Sequence, residues 1–464
     1  MKKFMIFAAV TLLMSSCGLY NKYERPKDVE TSGLIRDVLS DRDTLVVQDT
    51  ASFGNLPWRE VFTDPQLQAL IEQGLQKNTN LLNAALNVQS YEAILKAAKL
   101  AFLPAVQIGN AQQPMGTISW LHSDPVVTTK SYNMPVTASW TLDLFGNILS
   151  QKRSTQMKLL AMKDNQMAVR AQVISGIANS YYTLLMLDEQ LRIVTEMGKM
   201  SKETWDMMKL QFNLGRMRST SVQSAEAAYL ATQTQANDFR RQIRATENAL
   251  SLLIGQPGQQ IPRSTLAEQS LPSEFAVGVG VALLKNRPDV HNAEMNLAAC
   301  FHDVQTARSK FYPNITIGAS ASFTNNNGNL NPGKWLLSLF GSLTQPIFQR
   351  GALVAALKVS KMQYEQAFNT WQNSIISAGN EVSNALVNYR GYDDNSKIEA
   401  KRVEVLSKNV EDTKALYKSS GSSYLEVLTA ETQLLSAQLN KVSADFNKMQ
   451  TVVSLYTALG GGGK

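Results

Sequence analysis

Two long stretches of the chain carry apolar residues at alternating steps of four and three, and a glycine turn interrupts each stretch. A mean period of about 3.5 residues is the seam of a left-handed coiled coil. The first stretch turns at Gly215 and the second at Gly421-Ser422-Ser423, so each predicts a long helical hairpin. The apolar positions after the two turns are Val222, Ala225, Tyr229, Ala236, Phe239, Ile243, Leu250 and Leu253, and then Leu435, Leu439, Val442, Phe446, Met449, Val453 and Tyr456.

A hairpin of this kind cannot bury its own apolar stripe, so two copies in one chain predict an assembly built by repetition. Each half is predicted to contain a helix, a pair of strands and a long helical hairpin, which gives a mainly α fold with a smaller β part. The predicted divisions are a signal peptide at 1–16, an N-terminal arm at 17–57, the first repeat at 58–255, a linker at 256–282, the second repeat at 283–459 and a glycine-rich tail at 460–464. The glycine tail is interpreted as a disordered end.

The first helix has a clear start signal. Asp64 is the predicted N-cap and Pro65 the first helical residue, because a carboxylate accepts the free N–H groups there and proline needs to donate none. This helix is expected to continue to about Phe102 and to stop at Pro104.

Hydrophobicity alternates with a period of two residues along Tyr132–Leu142 and again along Ile315–Phe323. This alternation predicts strands with one apolar and one polar face. A weaker strand is predicted to begin at Ala105, and a return strand is predicted to run through Leu337 to Ile347. Four strands are too few for a useful barrel, since even the smallest transmembrane barrels need about eight. Other copies of the chain must therefore complete the sheet.

The N-terminus has the features of a secretory signal: Lys2 and Lys3, an apolar centre, and small residues before Cys17. The segment Met14-Ser15-Ser16-Cys17 resembles the bacterial lipobox, whose cysteine becomes the acylated first residue of a lipoprotein. With Cys17 acylated, Cys300 is the one remaining cysteine, so no intramolecular disulfide can form.

The formal net charge of +7, from 45 basic and 38 acidic residues, is small and spread along the chain. No cluster of basic and aromatic residues supports nucleic-acid binding. His122, His291 and His302 lie far apart and lack neighbours at metal-ligand spacing. The sequence therefore predicts no metal site, no cofactor other than lipid on Cys17, and no enzyme. Frequent Gln, Asn, Ser and Thr suit the wall of a water-filled bore.

Several segments, taken in order, resemble one known family. They are the lipobox at Cys17, Trp58–Leu67, Leu142–Gly146, Arg287–Val290 followed by Ala293-Glu294, Phe311–Pro313 and both hairpin tips. Singly they are weak signals, but their order and the internal repeat are specific. The chain resembles the TolC-like outer-membrane factor family, and specifically the lipoproteins that serve tripartite efflux pumps of the RND type.

The resemblance implies a homotrimer in which four strands from each copy form one twelve-stranded outer-membrane β-barrel, continued by a long α-helical barrel in the periplasm. The implied function is a passive exit duct for drugs or other small toxic compounds. The implied partners are outer-membrane lipid, a periplasmic adaptor that opens the duct, and, indirectly, an inner-membrane RND transporter. The implied location is the bacterial outer membrane, with a lipid anchor and a periplasmic extension.

The resemblance also implies a gate at the periplasmic end. Glu426 falls on the family's first gate carboxylate, Thr429 stands where a second acid is usual, and Ser221 is the corresponding residue of the first hairpin. Three converging Glu426 carboxylates would attract cations and repel anions. Alternatively, Glu426 is a solvated glutamate that stabilises a helix start. The residues expected to contact the adaptor are Gly215, Arg216, Arg218, Gly421, Ser422 and Tyr424.

Three other interpretations stay open at this point. The same fold could serve protein secretion or metal export, and the sequence does not separate these from drug efflux. A lipid-anchored coiled-coil spacer without a pore is a further alternative, although the alternating strands argue against it.

Overall fold

The computed structural model describes residues 21–26, 53–109, 132–270, 287–325, 335–419 and 423–463. The chain divides into two compact units. Unit 1 comprises 1–29, 87–163 and 292–372, and unit 2 comprises 30–86, 164–291 and 373–464.

The helices confirm the predicted hairpins and the internal repeat. In chain order they are α1 (Trp58–Val61), α2 (Pro65–Lys77), α3 (Thr79–Leu100), α4 (Asn147–Asn213), α5 (Ser219–Leu253), α6 (Pro288–Ser309), α7 (Ala352–Lys418) and α8 (Tyr424–Ala458). Both α4 and α7 have 67 residues, and both α5 and α8 have 35. The second-half helices begin 205 residues after their first-half counterparts, at Ala352 against Asn147 and at Tyr424 against Ser219. At 1.5 Å per residue, each longer helix extends about 100 Å.

The first predicted helix is divided in two at Asn78. Its start is confirmed, because the Asp64 carboxylate accepts a hydrogen bond from the Gln66 N–H at 2.8 Å and Pro65 is the first helical residue. At Asn78 the backbone is extended, with ψ at 122°. The Asn78 side chain accepts from the N–H groups of Asn80 and Leu81, at 3.0 and 3.2 Å, and so caps a new helix. An asparagine that competes for backbone N–H groups ends α2 and starts α3.

Four strands form one antiparallel sheet in the order β1-β2-β3-β4. They are β1 (Ala105–Ile108), β2 (Tyr132–Leu142), β3 (Asn314–Asn325) and β4 (Trp335–Thr344). The prediction that the return strand reaches Ile347 was wrong, since β4 ends at Thr344. Pro346 follows and has no N–H to donate to a ladder.

The sheet has one apolar and one polar face, as predicted. Register places Ile317 opposite Trp140 and Gly341, so that side chains of one character line up across the strands. The apolar face carries Val106, Ile108, Val136, Ala138, Trp140, Leu142, Ile315, Ile317, Ala319, Ala321, Leu337, Leu339 and Leu343. The other face is mainly polar and carries Gln107, Thr137, Ser139, Thr141, Thr316, Ser320, Ser338, Ser342 and Thr344. Phe340, which lies opposite Gly318, is a large apolar side chain on this face. Among the described strands of one chain, β1 and β4 lie at the edges, and edges present backbone groups that can pair with another chain.

The main apolar core lies in unit 2. Tyr181, Tyr182 and Tyr456 are fully buried there, together with Ile174 and Leu250. Unit 1 has a smaller cluster that includes Val88, Leu95 and Leu159. Among the helices that the structure describes, none combines the length and apolar character needed to cross a membrane.

The prediction that the glycine tail is a disordered end was wrong for residues 460–463. Gly460 has φ at 85° and donates to the Thr457 carbonyl, while Gly461 donates to the Tyr456 carbonyl, both at 2.9 Å. These bonds form a Schellman cap on α8. A Cβ on Gly461 would lie 2.4 Å from the Tyr456 ring, so this close approach requires glycine.

Candidate functional site at the hairpin tips

The tip of the first hairpin is a tight glycine turn. Gly215 has φ at 71° and donates to the Phe212 carbonyl at 2.9 Å, while Arg216 donates to the Gln211 carbonyl at 3.0 Å. This Schellman arrangement satisfies the last carbonyls of α4. Arg216 and Arg218 are exposed, and Ser221 is half-buried in the first turn of α5.

The tip of the second hairpin is held by a capping box. Ser423 is the N-cap of α8, its side chain accepts from the backbone N–H of Glu426, and Glu426 accepts from the Ser423 N–H at 3.4 Å. Thr429 donates to the Leu425 carbonyl at 2.7 Å. Glu426 and Thr429 are both exposed. Glu426 therefore has the helix-start role that the sequence allowed, with its side chain at the surface.

The repeat places Ser221 and Glu426 at the same position, the third residue of α5 and of α8. The helix that follows each tip thus has a polar residue, serine in α5 and glutamate in α8, at the same position of its first turn. Of the other predicted site residues, Cys17, Gly421 and Ser422 lie outside the described residues.

Among the described residues, a hydrogen bond joins the two hairpins close to their tips. The Tyr417 hydroxyl, in the last turn of α7, donates to the Gln211 side-chain oxygen, in the last turn of α4, at 3.2 Å. Both side chains are half-buried. Sequence reasoning missed this pair. The available signal was their place in corresponding final turns of two repeated helices, but heptad spacing does not identify which polar residues meet.

A buried ion pair lies one turn further from the tip of the second hairpin. Lys414 Nζ is 2.7 Å from Glu431 Oε1, and the Glu431 side chain is only 4% exposed. Burial raises the pKa of Tyr424 to about 12, and the negative charge of Glu431 and the neighbouring Tyr417 add to this. Tyr424, which was predicted to contact an adaptor, is half-buried.

The first hairpin has an aromatic cluster at the matching level. The Trp205 and Tyr229 rings stack with centroids 5.7 Å apart, and Lys209 Nζ lies 3.4 Å from the Trp205 ring centroid. A cation above a tryptophan face is attracted by the ring quadrupole.

The bond between Tyr417 and Gln211 joins the two hairpins, whereas the ion pair and the aromatic cluster each join the two helices of one hairpin. Within the described ranges, no group of three or more His, Cys, Asp or Glu is placed to hold a metal ion.

The sequence model of the outer membrane efflux protein family matches residues 70–256 and 279–461. The cation efflux system protein CusC of Escherichia coli K12 is 26% identical over 458 residues, 98% of each chain. The toluene efflux pump outer membrane protein TtgI of Pseudomonas putida is 29% identical and covers 87% of each chain. The probable outer membrane lipoprotein SilC of Salmonella typhimurium is 26% identical and covers 89% of each.

Solved structures agree with the fold. A crystal structure of CusC has a TM-score of 0.82 with 24% identity, covering 95% of this chain and 99% of that one. The open state of the MtrE outer membrane channel of Neisseria gonorrhoeae has a TM-score of 0.80 with 26% identity, covering 96% and 98%.

Proposed function

The chain belongs to the outer membrane efflux protein family, and from that premise we propose that it is the passive exit duct of a tripartite pump for drugs or other small toxic compounds. The observation that carries the proposal is the sheet. One of its faces is apolar, the other is mainly polar, no described strand pairs with the outer edge of β1 or β4, and β2 and β4 lead into helices of 67 residues. An apolar face suits lipid, and a polar face suits a water-filled bore.

Three copies would complete the channel. Each contributes four strands, and pairing β1 of one copy with β4 of the next would leave no open edge. A barrel of about twelve strands is wide enough to enclose an aqueous bore. The polar residues of the sheet, including Thr316 and Ser320, would then line that bore.

Opening would occur at the hairpin tips. An adaptor that engages Gly215, Arg216 and Arg218 on one hairpin, and Gly421, Ser422 and Tyr424 on the other, would separate them. Separation breaks the bond between Tyr417 and Gln211. A neutral hydrogen bond of this kind contributes about 1 kcal/mol net, which an adaptor interface can supply.

Glu426 would set the charge preference of the opening. Its side chain is exposed in the first turn of α8, and three copies around an axis would bring three carboxylates together. Thr429 and Ser221 would add neutral polar groups at the same level. Converging carboxylates attract cations and repel anions.

Metal ions are a second candidate cargo. CusC is described as a cation efflux protein, whereas TtgI is described as a toluene efflux protein, and both are similar to this chain. A passive duct leaves selection to the inner-membrane transporter, so relatives of one fold can serve different cargoes.

Lipid on Cys17 would anchor each copy, since each buried methylene contributes about 0.8 kcal/mol.

Deletion of the gene tests the proposal. The strain would be challenged with salts of several metal cations, with toluene and other organic solvents, and with antibiotics, each with and without a plasmid-borne copy of the gene. We expect increased susceptibility to at least one class, restored by the plasmid. Unchanged susceptibility to every class, under conditions where the protein is made, would contradict a role in efflux.

A further inference from the structure

A short N-terminal segment is held against unit 1 by a bidentate ion pair. Arg25 Nε donates to Glu294 Oε1 at 2.7 Å, and a second guanidinium nitrogen of Arg25 donates to Glu294 Oε2. Glu294 lies in α6 and is 5% exposed. The pair spans 269 residues of sequence. Paired guanidinium and carboxylate groups fix orientation as well as distance.

Tyr23 adds an aromatic contact beside this ion pair. Its ring meets Phe301 of α6 edge to face, with centroids 6.0 Å apart, and Phe301 in turn lies 6.3 Å from Tyr364 of α7. Burial raises the pKa of Tyr23 well above its ordinary value, and the negative charge of Glu294 raises it further. Tyr23 and Arg25 thus both contact α6, and the Arg25 side chain remains 42% exposed. The intervening Glu24 is exposed and, among the described residues, forms no hydrogen bond or ion pair with α6.

The burial of Glu294 shows that the contact is more than surface attraction. A carboxylate this far from water is strongly destabilised without a partner, whereas most surface ion pairs contribute little. Arg25 supplies the positive charge that Glu294 requires. Removal of Arg25 should therefore release the segment, because its departure lets water reach the unpaired Glu294 carboxylate.

We propose that Tyr23 and Arg25 form a clasp, which docks the N-terminal segment onto a site built by Glu294, Phe301 and Tyr364. The clasp therefore determines the point on unit 1 from which the residues preceding Tyr23 extend. Cys17 precedes Tyr23 by six residues, and an extended chain covers at most about 3.5 Å per residue. A lipid on Cys17 would therefore enter the membrane within about 21 Å of the clasp. This last consequence rests on the proposed lipidation, but the docking does not.

Proteolysis at Lys22 measures the clasp directly. Lys22 directly precedes Tyr23 and is exposed, and a lysine-specific protease needs a locally released segment to cut there. The full-length protein in detergent would be digested, and cleavage after Lys22 would be followed by mass spectrometry. Cleavage after Lys158, inside α4, reports unfolding of unit 1.

We expect Arg25→Gln, Tyr23→Ala and Glu294→Gln each to accelerate cleavage after Lys22 by about tenfold or more, with cleavage after Lys158 unchanged. The double variant Arg25→Gln/Glu294→Gln should be no faster than either single variant, because both remove the same bond. Glu24→Gln is the matched control and should behave as wild type. If Glu294→Gln fails to fold, Arg25→Gln and Tyr23→Ala, which lie in the N-terminal segment, still test the proposal.

Wild-type rates in Arg25→Gln and Tyr23→Ala would overturn the proposal, as would equal acceleration at Lys158. A Cys17→Ala variant, with its signal peptide replaced by one that does not direct lipidation, tests whether the segment docks when no lipid is attached. An unchanged rate after Lys22 in that variant supports a clasp that does not need the lipid. A rate as fast as that of Arg25→Gln would mean that the lipid, and not the clasp, holds the segment.

Discussion

The two hairpins have helices of the same lengths, but different side-chain contacts stabilise the regions near their tips. Lys209 and Lys414 are 205 residues apart and occupy the same position in α4 and α7. In the second hairpin Lys414 pairs with the buried Glu431. In the first hairpin Lys209 lies over Trp205, which stands where the second hairpin has Val410. A large aromatic side chain draws the lysine to its face, whereas a small valine packs into an apolar cluster and leaves the lysine to a carboxylate.

The helix N-caps at the two tips also differ, and again the second hairpin has the more stabilising interaction. The N-cap of α8 is Ser423, which forms a capping box with Glu426. The N-cap of α5 is Arg218, whose side chain has no oxygen to accept an N–H group. The second tip therefore has both a buried ion pair and a satisfied cap. We expect the first hairpin to open locally at lower free energy than the second.

The largest difference should appear when the two lysines are replaced. Lys414→Met leaves Glu431 buried without its partner and should lower the local opening free energy of α8 by about 2–3 kcal/mol, a figure reduced from the usual buried pair because Lys414 is 32% exposed. Lys209→Met removes a cation–π contact worth about 0.5–1 kcal/mol. Amide hydrogen exchange along α5 and α8 measures both. Equal losses would show that the two environments are energetically alike.

The bond between the hairpins should have the next largest effect. Tyr417→Phe removes the hydroxyl that donates to Gln211. This change should destabilise the closed arrangement of the two hairpins, relative to the separated one, by about 1 kcal/mol. The expected result is greater susceptibility to large antibiotics that the outer membrane normally excludes. Tyr229→Phe is the control, because the Tyr229 hydroxyl accepts from Gln233 within α5 at 2.5 Å and joins no second hairpin. Similar leakage in both variants would argue against a lock at Tyr417.

The caps should give a smaller effect. Ser423→Ala removes an N-cap oxygen and should destabilise the first turn of α8 by about 1 kcal/mol, while Arg218→Ser should stabilise the first turn of α5 by about 0.5–1 kcal/mol. Exchange rates of the amides in each first turn provide the measurement. No gain from Arg218→Ser would mean that the Arg218 backbone prevents its side chain from capping.

The smallest effect at neutral pH comes from Tyr424, whose pKa is about 12 in the folded chain. The folded state holds the phenolic proton more tightly than the unfolded state, so between about pH 10 and 12 the unfolded state binds fewer protons. Stability of the second tip should be unchanged below about pH 10 and should fall as pH rises to about 12. Tyr424→Phe should remove that part of the decline. A decline of the same size in Tyr424→Phe would assign it to other groups.

Local signals in the sequence predicted most of the architecture. Period and turn residues identified the hairpins, the strand β2 with the bounds observed, and the Asp64 cap, because each depends on neighbours within a few residues. The break at Asn78 and the ordered glycine tail were missed. Asn78 donates to the carbonyl of Leu253, and Gly462 lies so close to Ala171 that a Cβ would be 3.2 Å from the Ala171 Cα, so contacts distant in sequence contribute at both places.

The site was less predictable for the same reason. Glu426 could be placed at a helix start because it closely follows the predicted turn at Gly421-Ser422-Ser423, but its capping box with Ser423 was missed. The pairs Tyr417–Gln211 and Arg25–Glu294 could not be found, since each joins residues more than 200 positions apart. Heptad spacing reports which face of a helix is apolar, and it does not report which polar residues on two helices meet.

Single-channel conductance in a planar bilayer tests the central claim most directly, that this chain forms a duct shut where its hairpins meet. We would compare wild type, Tyr417→Phe with Gln211→Ala, and that double variant with Glu426→Gln added. We predict low conductance in wild type, higher cation-selective conductance in the double variant, and weaker cation preference once Glu426 is neutralised. Unchanged selectivity would remove Glu426 from the opening, and silence from all three proteins would contradict the duct itself.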